Sequence, residues 1–263
     1  MSIKQNQKVS YKKFLGIAIC RLLKIVYYKS PIFKSILKKL YFNSLKYYFW
    51  NDPFTPYNYI IWTGGYDYTG DVTDKNNLNY FDDQGVKLYD IYRNCIMNYI
   101  NHNTIALEIG PGVGDFTKPI IKEARFCYLV DALSLSRNNI LTNLDFPENI
   151  KYIQAYNFNL DEIPDYSIDY FFSFQTFNFI PIYGVEQYLS NLYTKAKVGF
   201  HGFVGISDNR KNDSCCKEFW PGFQTMNNSF KTDKILQQIG FTVYDNDYLK
   251  LKKESIVYFG KEQ

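Results

Sequence analysis

A short apolar strand that runs into a glycine-rich turn and then into a helix is the feature that most constrains this chain. The segment Thr104–Phe116 reads TIALEIGPGVGDF and places Gly110, Gly112 and Gly114 in the turn. Glycines are needed there because the backbone must bend sharply and approach a ligand without side chains in the way. The next predicted strand ends at Asp131, 21 residues after Gly110, where a carboxylate can accept hydrogen bonds from both hydroxyls of a ribose. The pattern therefore predicts a nucleotide-type ligand at one edge of an α/β sheet.

Three details separate this turn from that of a dinucleotide-binding protein, which shares the strand, the turn, the helix and the distal acid. Asp115 stands where the GxGxxG fingerprint has its last glycine. Glu108 would repel a diphosphate, whereas its carboxylate suits the cationic amino and sulfonium groups of S-adenosylmethionine. Two C-terminal strands joined by a short connection also predict an antiparallel hairpin, which an all-parallel dinucleotide sheet lacks. The residues therefore favour S-adenosylmethionine as the ligand.

Predicted strands and helices alternate from residue 104 to the end of the chain. Short apolar strands separated by helices are typical of a mostly parallel sheet that is covered on both faces. The apolar runs predict strands over 104–109, 126–131, 150–156, 168–174, 202–207, 241–245 and 255–259. Helical spacing predicts helices near 115–124, 136–144, 185–197 and 230–239. We therefore expect one α/β domain over residues 104–263.

This domain resembles the class I S-adenosylmethionine-dependent methyltransferases from Thr104 to about Lys261. LEIGPGVG is similar to the first motif of that family, VDA to its acidic second motif, and IPDYSIDYFFSFQTF to its fourth strand with the segment before it. The closing segments LQQIGFTVYDND and ESIVYFGK are similar to its terminal helix and hairpin. The resemblance implies a Rossmann-like fold with a seven-stranded sheet, in which six strands are parallel and one is antiparallel.

The resemblance also implies which residues bind the cofactor. Glu108 and the glycine turn would line its methionine part, Asp131 would hold the ribose, and Asn157 with Phe158 would face the adenine. The family often has an acidic residue at the position of Asn157, so this chain departs from the pattern there. The expected set is Glu108, Gly110, Gly112, Gly114, Asp131, Ala132, Asn157, Phe158, Ser173 and Phe174. The residues alone leave open that the glycines serve only the turn and that Asp131 only caps a helix.

Few residues are candidates for moving a proton. Many members of the family have a His just after the fourth strand, whereas this chain has Phe-Asn-Phe at 177–179. His102 and His201 precede predicted strands, and we interpret both as structural. Asp208 follows the fifth predicted strand and is the candidate general base, because ligands of open α/β sheets gather at that edge. A plain role in the turn is the alternative for Asp208.

The cysteines predict neither a disulfide framework nor a metal site. They are Cys20, Cys95, Cys127, Cys215 and Cys216, with no CxxC pair and no His at metal-ligand spacing. This usage fits a reducing, cytoplasmic compartment.

Residues 1–50 differ from the rest of the chain in charge. They hold eleven of the 30 Lys and Arg residues and no Asp or Glu, which leaves 19 basic residues against all 26 acidic ones in the remainder. Apolar residues at helical spacing predict one amphipathic helix over 11–28 and a second over 30–45. Arg21 and Lys24 interrupt the first, so it is not expected to span a membrane. We predict a basic helical arm that has an anionic partner.

Two interpretations of this arm remain open. It can dock on an anionic membrane surface, or it can pack on the domain as a lid together with residues 51–103, which read as a long loop followed by a helix. Nucleic acid is disfavoured as a partner because the body of the chain is acidic and phosphate contacts would rest on the arm alone.

The segment FDDQGVKLYDIYRNCIMNYI, followed by ALEIGPGVG, also resembles bacterial methyltransferases associated with surface-polysaccharide and lipopolysaccharide synthesis. That resemblance implies O-methylation of a sugar or surface glycan by an enzyme that is attached peripherally to the inner face of the membrane. Two alternatives stay open: a methyltransferase for a soluble small molecule, and a cofactor-binding or partner-binding protein without catalysis, which the missing His would fit.

Overall fold

The computed structural model describes residues 11–29, 40, 43–44, 47, 71–75, 80–81, 86–133, 140–145, 147–180, 182–211, 228–252 and 254–263. The chain divides into two compact units, residues 1–63 and 64–263. The second helix expected in the arm and the long loop expected after it lie outside the described residues, except for 40, 43–44, 47, 71–75 and 80–81.

Helix α1 (Tyr11–Lys29) forms in the first unit over the amphipathic segment that the apolar spacing predicts. Its exposed residues include large apolar ones, with Phe14 65% and Leu22 62% exposed, as well as Lys12 and Arg21, while Ile17 and Cys20 are buried. None of the described helices is long and apolar enough to cross a membrane. The helix therefore presents an apolar stripe to its surroundings within a strongly basic segment.

A seven-stranded sheet forms the centre of the second unit. Its strands are β1 (Ile105–Ile109), β2 (Phe126–Asp131), β3 (Ile150–Gln154), β4 (Ile168–Ser173), β5 (Ala196–Ser207), β6 (Thr242–Tyr248) and β7 (Glu254–Lys261). Their order across the sheet is β3-β2-β1-β4-β5-β7-β6. Neighbours from β3 to β5 pair in parallel, and β7 is antiparallel to both β5 and β6. The predicted α/β fold with one antiparallel strand is confirmed.

Helices connect these strands and cover the sheet. They are α2 (Leu88–Ile91), α3 (Thr117–Glu123), α4 (Ile140–Asn143), α5 (Ile182–Lys195) and α6 (Ser229–Ile239). A π-helix, Tyr92–Met97, continues α2, and a short antiparallel pair, Tyr80–Phe81 with Val86–Lys87, precedes it. The side chain of Asn228 caps α6 by accepting a hydrogen bond from the Lys231 backbone at 3.0 Å. Gly240 ends α6 in the left-handed region, at a φ of 115°.

Side chains of β4 alternate between the two faces of the sheet, and both faces are buried. Tyr170 and Phe172 belong to the apolar cluster that includes residues of α2 and α3. Phe171 packs on the opposite face against the rings of Phe177 and Phe259, each with a centroid separation of 6.2 Å. Strand β4 is therefore central, and its carboxyl end lies beside that of β1.

The junction between α5 and β5 differs from the sequence prediction. Helix α5 passes directly into β5 at residue 196, whereas the sequence predicted helix to 197 and strand only from 202. Gly199 interrupts the strand pattern in the sequence. In the structure it adopts a φ of 82°, and a β-carbon added there would meet no atom within 4 Å. Phe200 nevertheless pairs with Lys261 of β7. The partner strand extends β5 where local propensity does not.

Candidate cofactor-binding site

The turn after β1 has a backbone that requires glycine. Gly110, Gly112 and Gly114 have φ values of 76°, 58° and 98°, a region that L side chains rarely adopt. The Gly110 amide donates to the Val130 carbonyl of β2 at 2.8 Å, and Gly114 donates to Pro111 at 2.9 Å. The turn is therefore rigidly fixed at the carboxyl edge of the sheet, with no side chains on three of its residues.

Thr176 lies directly against this turn, a contact that the sequence did not predict. A β-carbon added to Gly110 would come within 1.8 Å of Thr176 Oγ1. The Thr176 hydroxyl donates to the Gly110 carbonyl at 3.3 Å. Gln175 just before it has a φ of 59°, in the left-handed region. The only signal in the sequence was the position of these residues just after the fourth strand.

Glu108 is a buried carboxyl group next to the turn. It is 3% exposed, and its Oε2 accepts a hydrogen bond of 2.6 Å from the hydroxyl of Thr117 at the start of α3. The pKa of Glu108 is raised to about 8, mainly by burial and to a smaller extent by the charges of Asp131 and Asp115, while the Thr117 hydrogen bond opposes the rise. A cation beside a buried carboxyl group favours its ionised form. The arrangement fits a cationic ligand group.

Asp131 ends β2 at the same edge. It is half-buried, and its Oδ1 accepts a hydrogen bond of 2.8 Å from the Leu133 amide. Its backbone carbonyl accepts from the Ala155 amide at 2.7 Å, which ties the end of β2 to the residue after β3. The carbonyl of Ala132 lies 3.4 Å from Gln154 Nε2. The expected ribose-binding carboxylate is therefore at the expected edge, one strand away from the glycine turn.

The two residues expected near the adenine differ in their surroundings. Asn157 is exposed, and its side-chain oxygen accepts from the Asn159 amide at 3.2 Å. Phe158 is buried between Tyr183 and Tyr188, whose ring centroids lie 5.7 and 5.3 Å away. Asn157 can reach a ligand at the end of β3, whereas the contacts of Phe158 are those of a packing residue.

The residues at the end of β4 hold the site together. The Ser173 hydroxyl donates to the Ile109 carbonyl at 2.7 Å and so joins β4 to β1. Phe174 packs edge-on against Phe116, with the ring centroids 5.7 Å apart. Both residues are buried, so the structure places them beneath the glycine turn.

Asp208 does not have the surroundings of a general base. It is fully buried after β5, and its carboxylate accepts hydrogen bonds from the Arg210 guanidinium at 2.9 and 2.5 Å and from the Ser255 hydroxyl at 2.9 Å. Burial by itself raises the pKa of Asp208, but the hydrogen bonds from Arg210, Ser255 and the Ser229 amide outweigh burial and hold the pKa well below its usual range. A carboxylate with occupied oxygens and a depressed pKa is a weak base. These contacts favour the alternative role for Asp208, a structural one in the turn.

The histidines lie away from this edge. His201 Nδ1 is 2.9 Å from the Tyr258 hydroxyl, and burial lowers the pKa of His201. His102 is exposed in the turn before β1. Within the described part of the chain, no three His, Cys, Asp or Glu side chains lie close enough together to hold a metal ion.

No protein-family model and no curated protein matches the sequence. Solved structures do match the fold. A Listeria monocytogenes protein assigned as an S-adenosylmethionine-dependent methyltransferase matches with a TM-score of 0.52 and 11% identity over 66% of this chain and 98% of that chain. An S-adenosylmethionine-dependent methyltransferase from Mesorhizobium loti matches with a TM-score of 0.51 and 13% identity over 66% of this chain and 97% of that chain. The chain has the fold of these methyltransferases.

Proposed function

We propose that this chain is a methyltransferase that uses S-adenosylmethionine. The observation that carries the proposal is the buried carboxyl group of Glu108 beside a turn of three left-handed glycines, with Asp131 at the end of the next strand. S-adenosylmethionine brings an ammonium and a sulfonium group toward such a carboxylate, whereas a dinucleotide would bring a diphosphate. The shared fold supports the same choice.

Each residue of the site has a role in this proposal. Thr117 fixes the Glu108 carboxylate, the glycine turn lets the methionine part approach the backbone, and Asp131 accepts hydrogen bonds from the ribose hydroxyls. Asn157 is available to accept a hydrogen bond from the adenine amino group. Thr176 keeps the turn in place through its contact with Gly110.

The reaction is an in-line displacement at the methyl group. A lone pair of the acceptor forms the new bond to the methyl carbon, the carbon–sulfur bond breaks with its electrons remaining on sulfur, and the acceptor proton passes to solvent. The protein contributes by aligning the two reactants in a site with little water. A hydroxyl acceptor loses its proton as the new bond forms, and the proton passes to solvent, because the Asp208 oxygens are occupied and residues 177–179 include no His.

We propose a sugar or surface-glycan hydroxyl on the cytoplasmic membrane face as the acceptor. The support comes from α1, whose exposed side carries Phe14, Leu15, Leu22 and Val26 within a segment of eleven Lys and Arg residues and no acidic ones. An amphipathic helix of this composition binds anionic lipid surfaces through its apolar face and its charge together. Glycans assembled on lipid carriers would be presented at the same surface.

Calorimetry tests the cofactor. The full chain should bind S-adenosylmethionine and its demethylated product but not NAD, and Asp131→Ala should weaken binding by about 10-fold or more, since charge-assisted hydrogen bonds are worth about 1.5 to 3 kcal/mol each. Asp145→Ala, in the turn after α4, is the control and should bind as the parent does. Binding of NAD without any response to S-adenosylmethionine would overturn the proposal.

Transfer of a radioactive methyl group tests the acceptor. The labelled cofactor is incubated with the protein and with lipid-linked sugars, sugar nucleotides and unrelated small molecules. Label in the sugars is the expected result. Label only in a small molecule without a sugar would contradict the glycan acceptor and leave the methyltransferase intact.

A further inference from the structure

Asn178 and Glu254 form a buried polar pair on the β5 side of the cofactor site. Asn178 Nδ2 donates to Glu254 Oε1 at 2.7 Å, and the two residues are 3% and 2% exposed. Asn178 lies in the single turn Phe177–Phe179, just beyond Thr176, which touches the glycine turn. Glu254 begins β7 opposite Ser207, at the carboxyl end of β5. The pair therefore lies at the sheet edge where ligands of such folds gather.

The orientation of the Asn178 amide follows from its partner. The amide nitrogen of Asn178 faces Glu254, so the amide oxygen points elsewhere. Asn178 Oδ1 is buried and has no hydrogen-bond partner within the described part of the chain. Nearly all buried polar atoms in proteins are hydrogen-bonded, so this oxygen requires an explanation.

The position of Glu254 is itself fixed. Its backbone carbonyl accepts a hydrogen bond from Lys211 Nζ at 2.7 Å, and the same ammonium group binds the Leu251 carbonyl and Asp247 Oδ1, each at 2.5 Å. The next residue, Ser255, donates to Asp208 Oδ2 at 2.9 Å. The start of β7 therefore holds Glu254 rigidly, and Glu254 in turn holds the amide of Asn178.

We propose that Asn178 Oδ1 accepts a hydrogen bond from the O–H or N–H of the methyl acceptor, with Glu254 as the residue that positions the amide. The inference rests on the proposed methyltransferase function and assigns the residue that contacts the acceptor atom. The hydrogen bond orients the acceptor atom and leaves a lone pair of that atom available for attack. An amide oxygen accepts a hydrogen bond only from an atom that carries a proton. The acceptor is therefore an alcohol or an amine, and ionised carboxylates, phosphates and thiolates are rejected.

Methyl transfer to a matched series of probes tests the inference. Octyl glucoside, octylamine, octanoate and octanethiol share an eight-carbon chain and differ in the reacting group. Each is incubated with the full chain and methyl-labelled S-adenosylmethionine. The variants are Asn178→Leu, Asn178→Ser in case the first fails to fold, and Glu254→Gln. Asn149→Leu is the matched control, because Asn149 bonds the Ile121 and Ala124 carbonyls at the opposite edge of the sheet.

Label should enter octyl glucoside or octylamine, and neither octanoate nor octanethiol. Asn178→Leu should raise the KM for that probe about 10-fold or more while the cofactor affinity stays within about twofold, because only the acceptor loses a hydrogen bond. Glu254→Gln should raise the KM by a smaller factor. The Gln side chain can present its amide oxygen to Asn178 Nδ2, as Glu254 does, but it can also present its amide nitrogen and so turn the Asn178 amide around. Asn149→Leu should keep the parent KM even if it lowers the melting temperature.

Three results would overturn the inference. The first is transfer of the labelled methyl group to octanoate or octanethiol, and the second is an unchanged KM in both Asn178 variants. The third is a parent protein that binds the cofactor but labels none of the probes. A parent that does not bind S-adenosylmethionine would refute the proposed function instead, so the two failures are distinguishable by calorimetry on the parent alone.

Discussion

The charge of Glu108 depends on what lies beside it. Burial raises the pKa of its carboxyl group to about 8, so this group holds its proton at neutral pH in the cofactor-free protein. An ammonium group beside it favours the ionised form. Binding of the cofactor is therefore coupled to release of a proton from Glu108.

We expect the affinity for S-adenosylmethionine to rise from pH 6 to about pH 8. Above that pH the amino group of the cofactor loses its own proton, since α-amino groups titrate near 8, and the affinity should level off or fall. Calorimetry in buffers of different ionisation enthalpy measures the protons released. Glu108→Gln should weaken binding and abolish the rise. Proton uptake by the parent on binding would contradict this coupling.

The raised pKa of Glu108 also affects stability. The folded state keeps a proton that the unfolded state gives up near the ordinary value of 4.5, so the contribution of Glu108 to the stability of the cofactor-free protein falls as the pH rises from about 4.5 to about 8. The cofactor should reverse this loss, because its cation stabilises the anion.

Gly110 and Gly199 separate the cost of a left-handed backbone from the cost of a steric clash with an added β-carbon. Both have a φ near 80°, but a β-carbon on Gly110 would meet Thr176 Oγ1 at 1.8 Å, whereas one on Gly199 would meet nothing within 4 Å. Gly199→Ala should therefore cost only the left-handed backbone, about 1 to 2 kcal/mol. Gly110→Ala should cost about 1 to 3 kcal/mol more and should reduce cofactor binding. Equal losses in urea denaturation would contradict the contact with Thr176.

At the scale of elements, the Lys211 side chain joins the turn between β6 and β7 to the end of β5. Its ammonium group, with a side chain only 16% exposed, makes three contacts, to Asp247, Leu251 and Glu254. Lys211→Met should lower the free energy of unfolding by about 2 to 3 kcal/mol, because hydrogen bonds to a charged group are lost in a partly buried place. The measurement is urea denaturation.

The matched control is Lys151→Met. Lys151 pairs with Glu162 at 3.1 Å, but both side chains are well exposed, at 44% and 60%. A pair of this kind contributes less than about 1 kcal/mol. If the two substitutions destabilise the protein equally, Lys211 does not hold the β6–β7 turn.

The elements show which parts of the site a sequence can reveal. The glycine turn, Glu108 and Asp131 were predictable because strand, turn and distal acid follow one another along the chain and depend on local backbone geometry. The contact of Thr176 with Gly110 joins residues 66 positions apart, and that of Asn178 with Glu254 joins residues 76 positions apart. No local sequence pattern indicates contacts of this kind. The early start of β5 was missed for a related reason, since pairing with β7 extends it past Gly199.

The helix after the glycine turn is another case in which tertiary packing decides. The periodicity predicted helix over 115–124, and the structure has α3 at Thr117–Glu123. Gly114 still has a φ of 98°, so the regular helix begins only after the glycine turn is complete. For Asp208 the sequence predicted the position but not the role. It lies at the carboxyl end of β5 as expected, and its contacts with Arg210 and Ser255 favour a structural role.

At the scale of the whole molecule, the first 50 residues and the rest of the chain have net charges of opposite sign. Residues 1–50 hold eleven Lys and Arg residues and no acidic residue, while the remainder holds 26 acidic residues against 19 basic ones. An anionic membrane would attract the first part and repel the second. Such a distribution orients a protein at a charged surface, with the arm toward the lipid.

We therefore expect the arm to bind anionic vesicles through charge and apolar contact together. Replacing Lys12, Lys13, Arg21 and Lys24 with Gln removes four charges, each worth about 1 kcal/mol near the surface, and should strongly reduce flotation with phosphatidylserine vesicles. Phe14→Ser with Leu22→Ser should reduce it too, because these side chains form the exposed apolar stripe of α1. Cofactor affinity should be unchanged in both variants.

Salt and lipid charge separate this binding from other roles of the arm. Flotation of the parent should fall as salt is raised, since surface charges are screened over roughly 8 to 10 Å at physiological ionic strength. Vesicles of phosphatidylcholine alone are the control and should bind weakly. If the arm instead serves as a lid, the four Gln substitutions would leave flotation unchanged, and removal of residues 1–50 would impair methyl transfer even to a small acceptor that is never presented on a membrane.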